Sequence, residues 1–248
     1  MKRVVWTRPA EDWVQDQKIL KPPHPVLHFP VTQQIEICPQ LPGRPCDLII
    51  LTSRKAADAF FHKSGLSKDS LHKVEFVTFG LETYKYLLGL NLKARLVPAS
   101  SGKKFAEILV TELKKGTVVW FPKPVETAFA ISEYLRTHGI ESFDIELYRT
   151  ECIKTFDSPS LQRLVSEPSV VCFASPNALK AFVDIIRTQD EARFNRYPPV
   201  VIGPTTKAAG QTYFNELILA NSSNLSSLWE KAVDVAKQED LYNYAARR

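Results

Sequence analysis

Short runs of apolar, largely β-branched residues alternate along the chain with stretches whose apolar residues recur at helical spacing. The run at 48–52, for example, precedes the stretch 55–63, in which Ala56, Ala59 and Phe60 share one helix face. This alternation is typical of an α/β fold, in which helices cover a parallel sheet. The predicted strands are residues 4–7, 26–31, 48–52, 76–79, 94–97, 118–121, 144–148, 170–174, 200–202 and 217–220. Such a set suits two similar domains, each a five-stranded parallel sheet flanked by helices.

An internal repeat predicts how these domains divide the chain. LIILTSRKAADAFF (48–61) aligns with VVCFASPNALKAFV (170–183), VTFGLETYKY (77–86) aligns with VVIGPTTKAA (200–209), and VVWFPKP (118–124) aligns with VVWTRP (4–9). In the first two matches the segment from the middle of the chain comes before its counterpart, whereas in the third it comes after. The simplest topology therefore has one domain inserted into the other. We predict a discontinuous domain of 1–36 with 153–248, an inserted domain of 41–148, and linkers at 37–40 and 149–152. Two crossings predict a cleft with hinge closure.

Composition and charge narrow the class of protein. A 44% hydrophobic content over 248 residues supports a sizeable core, and the net charge of +5 favours an anionic partner. The basic residues are dispersed, which argues against nucleic-acid binding, and no apolar run is long enough for a signal peptide or a membrane span. Four cysteines without a C-x-x-C pair indicate reduced thiols in a cytoplasmic protein, with Cys172 in the core.

Hydroxyl side chains follow several predicted strands in both halves. The carboxyl ends of parallel strands are where ligands bind, because the next helices expose backbone N–H groups there. A Ser or Thr before a helix is also an ordinary N-cap, which is the commoner role for any one of them. Their recurrence in both halves favours anion binding for the set, which comprises Thr52, Ser53, Thr83, Ser175, Thr205 and Thr206.

Two basic residues and one tyrosine are further candidates. Arg8 and Lys123 stand in corresponding strand-end loops, where each either faces the cleft or is a solvated surface charge. Tyr148 ends the strand 144–148, so its hydroxyl either enters the cleft or is the wet tip of a packing residue. The sequence lacks G-x-G-x-x-G, G-x-x-x-x-G-K-[ST], G-x-S-x-G and H-E-x-x-H, which argues against a nucleotide loop, a hydrolase triad and a zinc site.

These segments together resemble the uroporphyrinogen-III synthase family, in their order and spacing and over essentially the whole chain. The matching segments are VVWTRP (4–9), DLIILTSRKAADAF (47–60), FGLETYKYL (79–87), LVPASSGKKFAEIL (96–109), ELYRT (146–150), FASPNALKAF (173–182) and VIGPTTKAA (201–209). Arg54 stands where this family commonly has Pro, and Ala174 replaces the usual Ser or Thr. The resemblance implies a HemD-like fold of two α/β domains joined by a two-stranded linker, with the active site between them.

The resemblance also implies an activity. The family's enzyme is a cytoplasmic, cyclising hydro-lyase of tetrapyrrole and heme biosynthesis, and the family suggests a monomer. It converts the linear octacarboxylate hydroxymethylbilane into uroporphyrinogen III, with loss of water, inversion of ring D and no metal or organic cofactor. Under this resemblance, Tyr148 is the candidate donor to the departing hydroxyl, and Arg8, Lys123, Ser101 and the strand-end hydroxyls are candidate substrate-binding groups. Hydroxymethylbilane synthase is a candidate transient partner.

A second function class uses the same predicted architecture. A non-catalytic two-domain sensor or binding protein for a small anion would need the same cleft and the same hydroxyls, with no chemistry. The two classes differ in whether a product forms.

Overall fold

The structure is a computed structural model that describes residues 2–166, 168–187 and 198–238. The strands are β1 (Arg3–Trp6), β2 (Val26–His28), β3 (Thr32–Glu36), β4 (Leu48–Ile50), β5 (Glu75–Thr78), β6 (Ala94–Leu96), β7 (Val118–Pro124), β8 (Glu141–Cys152), β9 (Ser169–Phe173), β10 (Val200–Val201) and β11 (Ile218–Leu219). A short 3₁₀ helix (Ala10–Asp12) precedes the α-helices α1 (Trp13–Ile19), α2 (Arg54–Lys63), α3 (Lys68–His72), α4 (Leu81–Gly89), α5 (Gly102–Glu112), α6 (Ile131–Thr137), α7 (Ser158–Ser166), α8 (Pro176–Arg187), α9 (Pro204–Gly210) and α10 (Leu225–Lys237).

The chain divides into two compact units. Unit 1 contains the residues up to Gln34 and those from Glu151 onward, and unit 2 contains Ile35–Thr150. The chain therefore passes from one unit to the other inside β3 and again inside β8. In the part of the chain that the structure describes, no helix is long and apolar enough to cross a membrane.

Unit 1 has a five-stranded sheet in the order β11-β10-β9-β1-β2, and its neighbouring strands pair in parallel. Successive strand residues point to opposite faces, so β1 serves two cores. Val4 and Trp6 pack with the apolar face of α10, whereas Val5 packs with that of α8. This sheet confirms the parallel α/β prediction for this part of the chain.

Unit 2 has a six-stranded sheet in the order β3-β8-β7-β4-β5-β6. The last five strands are parallel, with α2 and α4 packed on one face and α5 and α6 on the other. The sixth strand, β3, is antiparallel to β8, because Ile37 N donates to Leu147 O at 2.9 Å while Ile153 N donates to Val31 O at 3.0 Å.

The sheet of unit 2 thus differs from the predicted five strands. The sequence TQQIE of β3 has no apolar run, because an edge strand beside the end of β8 buries little surface. β8 also runs on to Cys152, beyond the predicted end at residue 148. In unit 1, β2 ends at His28 and not at the predicted residue 31, and Pro30, which has no backbone N–H, follows shortly after.

Candidate functional site

The carboxyl edge of the unit 2 sheet gathers most of the predicted site residues. Thr52 and Ser53 follow β4, Thr83 lies in the helix that follows β5, and Ser101 follows β6. Tyr148 of β8 pairs with Pro124, the last residue of β7, and Lys123 precedes that residue. Because the five strands are parallel, these residues share one edge of the sheet, where ligands bind in such folds.

Two of these hydroxyls cap helices. Ser53 Oγ accepts a hydrogen bond from Ala56 N at 3.1 Å, and Ser101 Oγ accepts one from Lys104 N at 3.2 Å. A hydroxyl that accepts from a backbone N–H still has its own proton to donate. Capping and donation to a carboxylate are therefore compatible at both positions, and the two interpretations of these serines do not exclude each other.

The neighbouring threonines differ in accessibility. Thr83 is buried in α4, and its Oγ1 lies 3.3 Å from the place a Cβ on Gly80 would occupy. Gly80 therefore allows the close approach of this hydroxyl to the loop after β5. Thr52 is half-buried beside the cap of α2.

Positive charge collects at the starts of two helices on this edge. The first turn of α2 carries Arg54 and Lys55, the first turn of α5 carries Lys103 and Lys104, and neither turn has an acidic residue. Cations are unfavourable at the positive end of a helix dipole by about 0.3–1 kcal/mol each. Arg54 and Lys104 have carboxylate partners in the next turn, Asp58 at 3.7 Å and Glu107 at 3.1 Å, and a bound anion would further offset the repulsion, so the edge is suited to a polyanionic ligand.

Tyr148 is buried in the apolar cluster between the sheet and α2. Its side chain packs with Ile145 and Leu147 of its own strand and is 8% exposed. Lys55 Nζ lies 5.7 Å from the centroid of the Tyr148 ring, within range of a cation–π contact. The tyrosine ring is therefore held by apolar packing on one side and by a cation on another.

Lys123 has internal partners. Its Nζ donates to the carbonyl oxygens of Pro124 and Val125 at 3.0 Å each and lies 3.9 Å from Asp144 Oδ2. Val125 N in turn donates to Tyr148 O at 2.9 Å. The buried ammonium thus fixes the chain after β7 against the backbone of Tyr148, whereas the sequence suggested that it faces either the cleft or the solvent.

We expect Lys123→Met to lower the free energy of unfolding by about 2–3 kcal/mol, because hydrogen bonds to a charged donor contribute about 1.5–3 kcal/mol. Urea denaturation measures this change. Lys73→Met, an exposed lysine before β5 at the opposite edge, is the matched control and should change stability by less than about 0.5 kcal/mol. An equal effect of both substitutions would contradict the fixing role of Lys123.

The carboxyl edge of the unit 1 sheet holds Arg8, which follows β1. Its Nε contacts Asp16 Oδ2 at 2.8 Å and its Nη2 contacts Asp12 Oδ2 at 2.8 Å. The buried Asp16 also accepts a hydrogen bond from Trp6 Nε1 at 2.8 Å. Arg8 could therefore bind a ligand only by sharing or exchanging these carboxylate partners.

The remaining predicted residues of unit 1 follow β9 and β10. Ser175 Oγ accepts a hydrogen bond from Ala178 N at 3.1 Å, in the first turn of α8. Thr205 is exposed in the first turn of α9, whereas Thr206 beside it is buried. Ser175 is half-buried at the cap of α8, so Thr205 is the exposed hydroxyl among these three.

Sequence reasoning missed two residues at this edge. Ser223 Oγ lies 3.0 Å from where a Cβ on Gly203 would stand, which brings the loop after β11 against the start of α9. Asn224 caps α10 by accepting a hydrogen bond from Ser227 N at 2.8 Å. The signal was present, because a polar NSSN stretch before an apolar helical run is typical of an N-cap.

Possible metal ligands and two of the four thiols can be assessed in the described residues. Within them, no group of three or more His, Cys, Asp or Glu side chains is placed to hold a metal ion. Burial raises the pKa of Cys46 to about 11 and raises that of Cys172 well above its ordinary value. Both thiols are therefore neutral at pH 7, which is unsuitable for a nucleophile. The burial of Cys172 confirms its predicted place in the core.

Comparison with models of protein families identifies the family of this chain. The model of the family described as uroporphyrinogen-III synthase HemD matches residues 25–230. The chain belongs to the uroporphyrinogen-III synthase family. The match confirms the resemblance that the sequence motifs carried. A comparison with curated protein sequences gives no match.

Solved structures share the uroporphyrinogen-III synthase fold with this chain. The uroporphyrinogen-III synthetase of Helicobacter pylori is 19% identical, with a TM-score of 0.68 over 95% of this chain and 100% of that one. A mutant uroporphyrinogen III synthase of the extremely thermophilic bacterium Thermus thermophilus is 15% identical, with a TM-score of 0.59 over 96% and 100%. Both similarities confirm the predicted α/β fold.

Proposed function

We infer that the chain catalyses the reaction of its family, the cyclisation of hydroxymethylbilane to uroporphyrinogen III in tetrapyrrole and heme biosynthesis. The observation that carries this inference is the family match over residues 25–230. The enzyme is accordingly a cyclising hydro-lyase, and one bilane gives one macrocycle and one water. We propose that units 1 and 2 are the two domains of this family fold.

The substrate carries eight carboxylates, which suits the charge and the hydroxyls of the strand-end loops. In unit 2, we propose that Thr52, Ser53, Thr83 and Ser101, with the cationic first turns of α2 and α5, bind acetate and propionate groups. In unit 1, Ser175, Thr205 and Thr206 take the corresponding role. Charge-assisted hydrogen bonds contribute about 1.5–3 kcal/mol each, so single hydroxyl deletions should weaken binding modestly.

The reaction requires orientation more than strong acid–base chemistry. The linear bilane closes without enzyme to the type I isomer, so the protein must favour the geometry in which ring D inverts. Many carboxylate contacts hold the chain ends in that geometry, and contacts that improve in the transition state raise the rate. This proposal explains why the site consists of caps and helix starts and not of a nucleophile with its base.

Tyr148 is proposed to assist the loss of water. Its Oη donates a hydrogen bond to the leaving hydroxyl, and the C–O bond breaks as the electron pair of the adjacent pyrrole nitrogen moves in. The leaving hydroxyl takes up a proton from solvent and departs as water. Ring D attacks the resulting azafulvene and rearranges through the family's proposed spiro intermediate. The proton released when the pyrrole regains aromaticity returns to solvent, so the net change is the loss of one water. A neutral phenol is a weak acid at pH 7, so we expect assistance and not full proton transfer.

The cellular setting completes the proposal. We propose a cytoplasmic monomer that receives its unstable substrate during transient contact with hydroxymethylbilane synthase. The net charge of +5 supports an anionic ligand. The basic residues are dispersed along the chain, which favours a small anion over a nucleic acid.

The rate at which hydroxymethylbilane is consumed distinguishes an enzyme from an anion-binding protein. With the protein at one hundredth of the bilane concentration, we expect consumption faster than spontaneous closure and many turnovers for each protein molecule. A sensor at that concentration would leave the rate unchanged, and at equal concentration it would slow closure by sequestering the bilane. Either of these two results, from folded protein, would reject the proposed enzyme activity.

A further inference from the structure

The two cations in the first turn of α2 each lie on a tyrosine ring. The Arg54 guanidinium carbon is 4.9 Å from the centroid of Tyr86, a residue of α4. Lys55 Nζ is 5.7 Å from the centroid of Tyr148, in β8. Neighbouring residues with equal charge thus point at different rings, and only the ring of Tyr148 belongs to the proposed catalytic machinery.

Lys55 lies in a part of α2 where the helix dipole disfavours a cation. The first turn of α2 has no acidic residue, and the ammonium lies near the positive end of the helix dipole. Lys55 is also half-buried, next to the serine cap of the helix. The electron-rich face of Tyr148 lies within cation–π range of this ammonium, and that contact strengthens when negative charge develops on the phenol.

We propose that Lys55 is a positioning residue for Tyr148: its ammonium holds the phenol ring at the carboxyl edge of the sheet and stabilises the charge that develops on it. This inference rests on the proposed function of Tyr148. As the Tyr148 hydroxyl shares its proton with the leaving hydroxyl, electron density rises on the phenol oxygen and ring. A fixed cation at the ring face lowers the energy of that transition state more than it lowers the energy of the resting state.

A double-mutant cycle tests whether Lys55 acts through the Tyr148 hydroxyl. We expect Lys55→Met to lower kcat for type III formation about fivefold or more, and Lys55→Arg to restore most of it. In a Tyr148→Phe background, Lys55→Met should change kcat less than twofold, because the hydroxyl through which it acts is gone. An equal fall in both backgrounds, or no fall with Tyr148 intact, would overturn the proposal.

Arg54→Met is the matched charge variant in the same turn. It removes an equal formal charge, which is paired with Asp58 at 3.7 Å, and leaves the ring of Tyr148 in contact with Lys55. We therefore expect it to raise KM, as the loss of a cation near a polyanion should, with little change in kcat. A fall in kcat equal to that of Lys55→Met would show that only the general charge of the edge matters, and this would contradict the positioning role.

Thermal unfolding tests the contact without any turnover. Lys55→Met should lower the melting temperature of the otherwise unchanged protein, and it should lower it measurably less when Tyr148→Leu has removed the ring. Equal shifts in both backgrounds would show that the two side chains are not coupled, and the proposal would fail. If the protein made no type III product but the melting shifts were coupled, the proposed function would fail while the Lys55–Tyr148 contact stood.

Discussion

Tyr148→Phe is expected to lower kcat for uroporphyrinogen III formation about 10- to 100-fold, which is at or below the lower end of what general-acid assistance contributes. The substitution keeps the ring that packs with Ile145 and Leu147, so the fold and the carboxylate contacts should persist and KM should change little. The bilane that escapes turnover closes spontaneously, so the product should shift toward the type I isomer. Chromatography of the oxidised porphyrins measures the rate and the isomer ratio together.

Tyr213→Phe provides the control for this experiment. Tyr213 follows α9, away from the strand-end loops that we propose bind substrate, and the Arg187 guanidinium carbon lies over its ring, 5.3 Å from the ring centroid. Its hydroxyl should be dispensable for turnover. If Tyr148→Phe retained kcat within twofold of the wild type while showing native circular dichroism, the proposed donor role would be wrong.

The second large expected effect is on stability, at Asp16. Its buried carboxylate accepts from Trp6 Nε1 and contacts Arg8 Nε, both at 2.8 Å. Asp16→Ala would leave the Trp6 indole N–H without this acceptor and would leave the half-buried Arg8 guanidinium with only Asp12 of these two carboxylates. Breaking a buried charge pair from one side costs about 3–5 kcal/mol, so we expect unit 1 to lose about that much of its free energy of unfolding.

Tryptophan fluorescence in urea can follow unit 1 separately. Three of the four tryptophans lie in unit 1, so a Trp120→Phe background removes the signal of unit 2. Asp12→Ala is the matched control: it removes the more exposed carboxylate partner of Arg8 and should cost about 1 kcal/mol or less. Equal losses for the two substitutions would contradict the central place given to Asp16.

The parallel sheets were predictable because their strands are buried on both faces. Val170 and Cys172 pack on one side of β9 and Phe173 on the other, so such strands appear in the sequence as continuous apolar runs. β3 was not predicted because its residues are mostly polar and form a strand only by pairing with the end of β8. Pairing partners far along the chain leave no local signal, whereas a buried face does.

The strand-end hydroxyls could likewise be located from the sequence, since a Ser before a helical run is a local feature. The partners of the charged residues could not. Arg8 meets Asp16 only because α1 folds back beside β1, and Lys123 meets Asp144 only through the register of β7 and β8. The contact of Lys55 with Tyr148 could not be predicted from the sequence, because it depends on the placement of a strand from much later in the chain.

The most direct test of the enzyme activity is the ratio of uroporphyrin isomers formed from hydroxymethylbilane. The bilane is generated in situ from porphobilinogen by hydroxymethylbilane synthase, which is also called porphobilinogen deaminase. With the wild-type protein added, we expect the oxidised product to change from uroporphyrin I to predominantly uroporphyrin III, at protein concentrations far below that of the substrate. Uroporphyrin I alone, from protein shown to be folded, would contradict the assignment of this chain as a working uroporphyrinogen-III synthase.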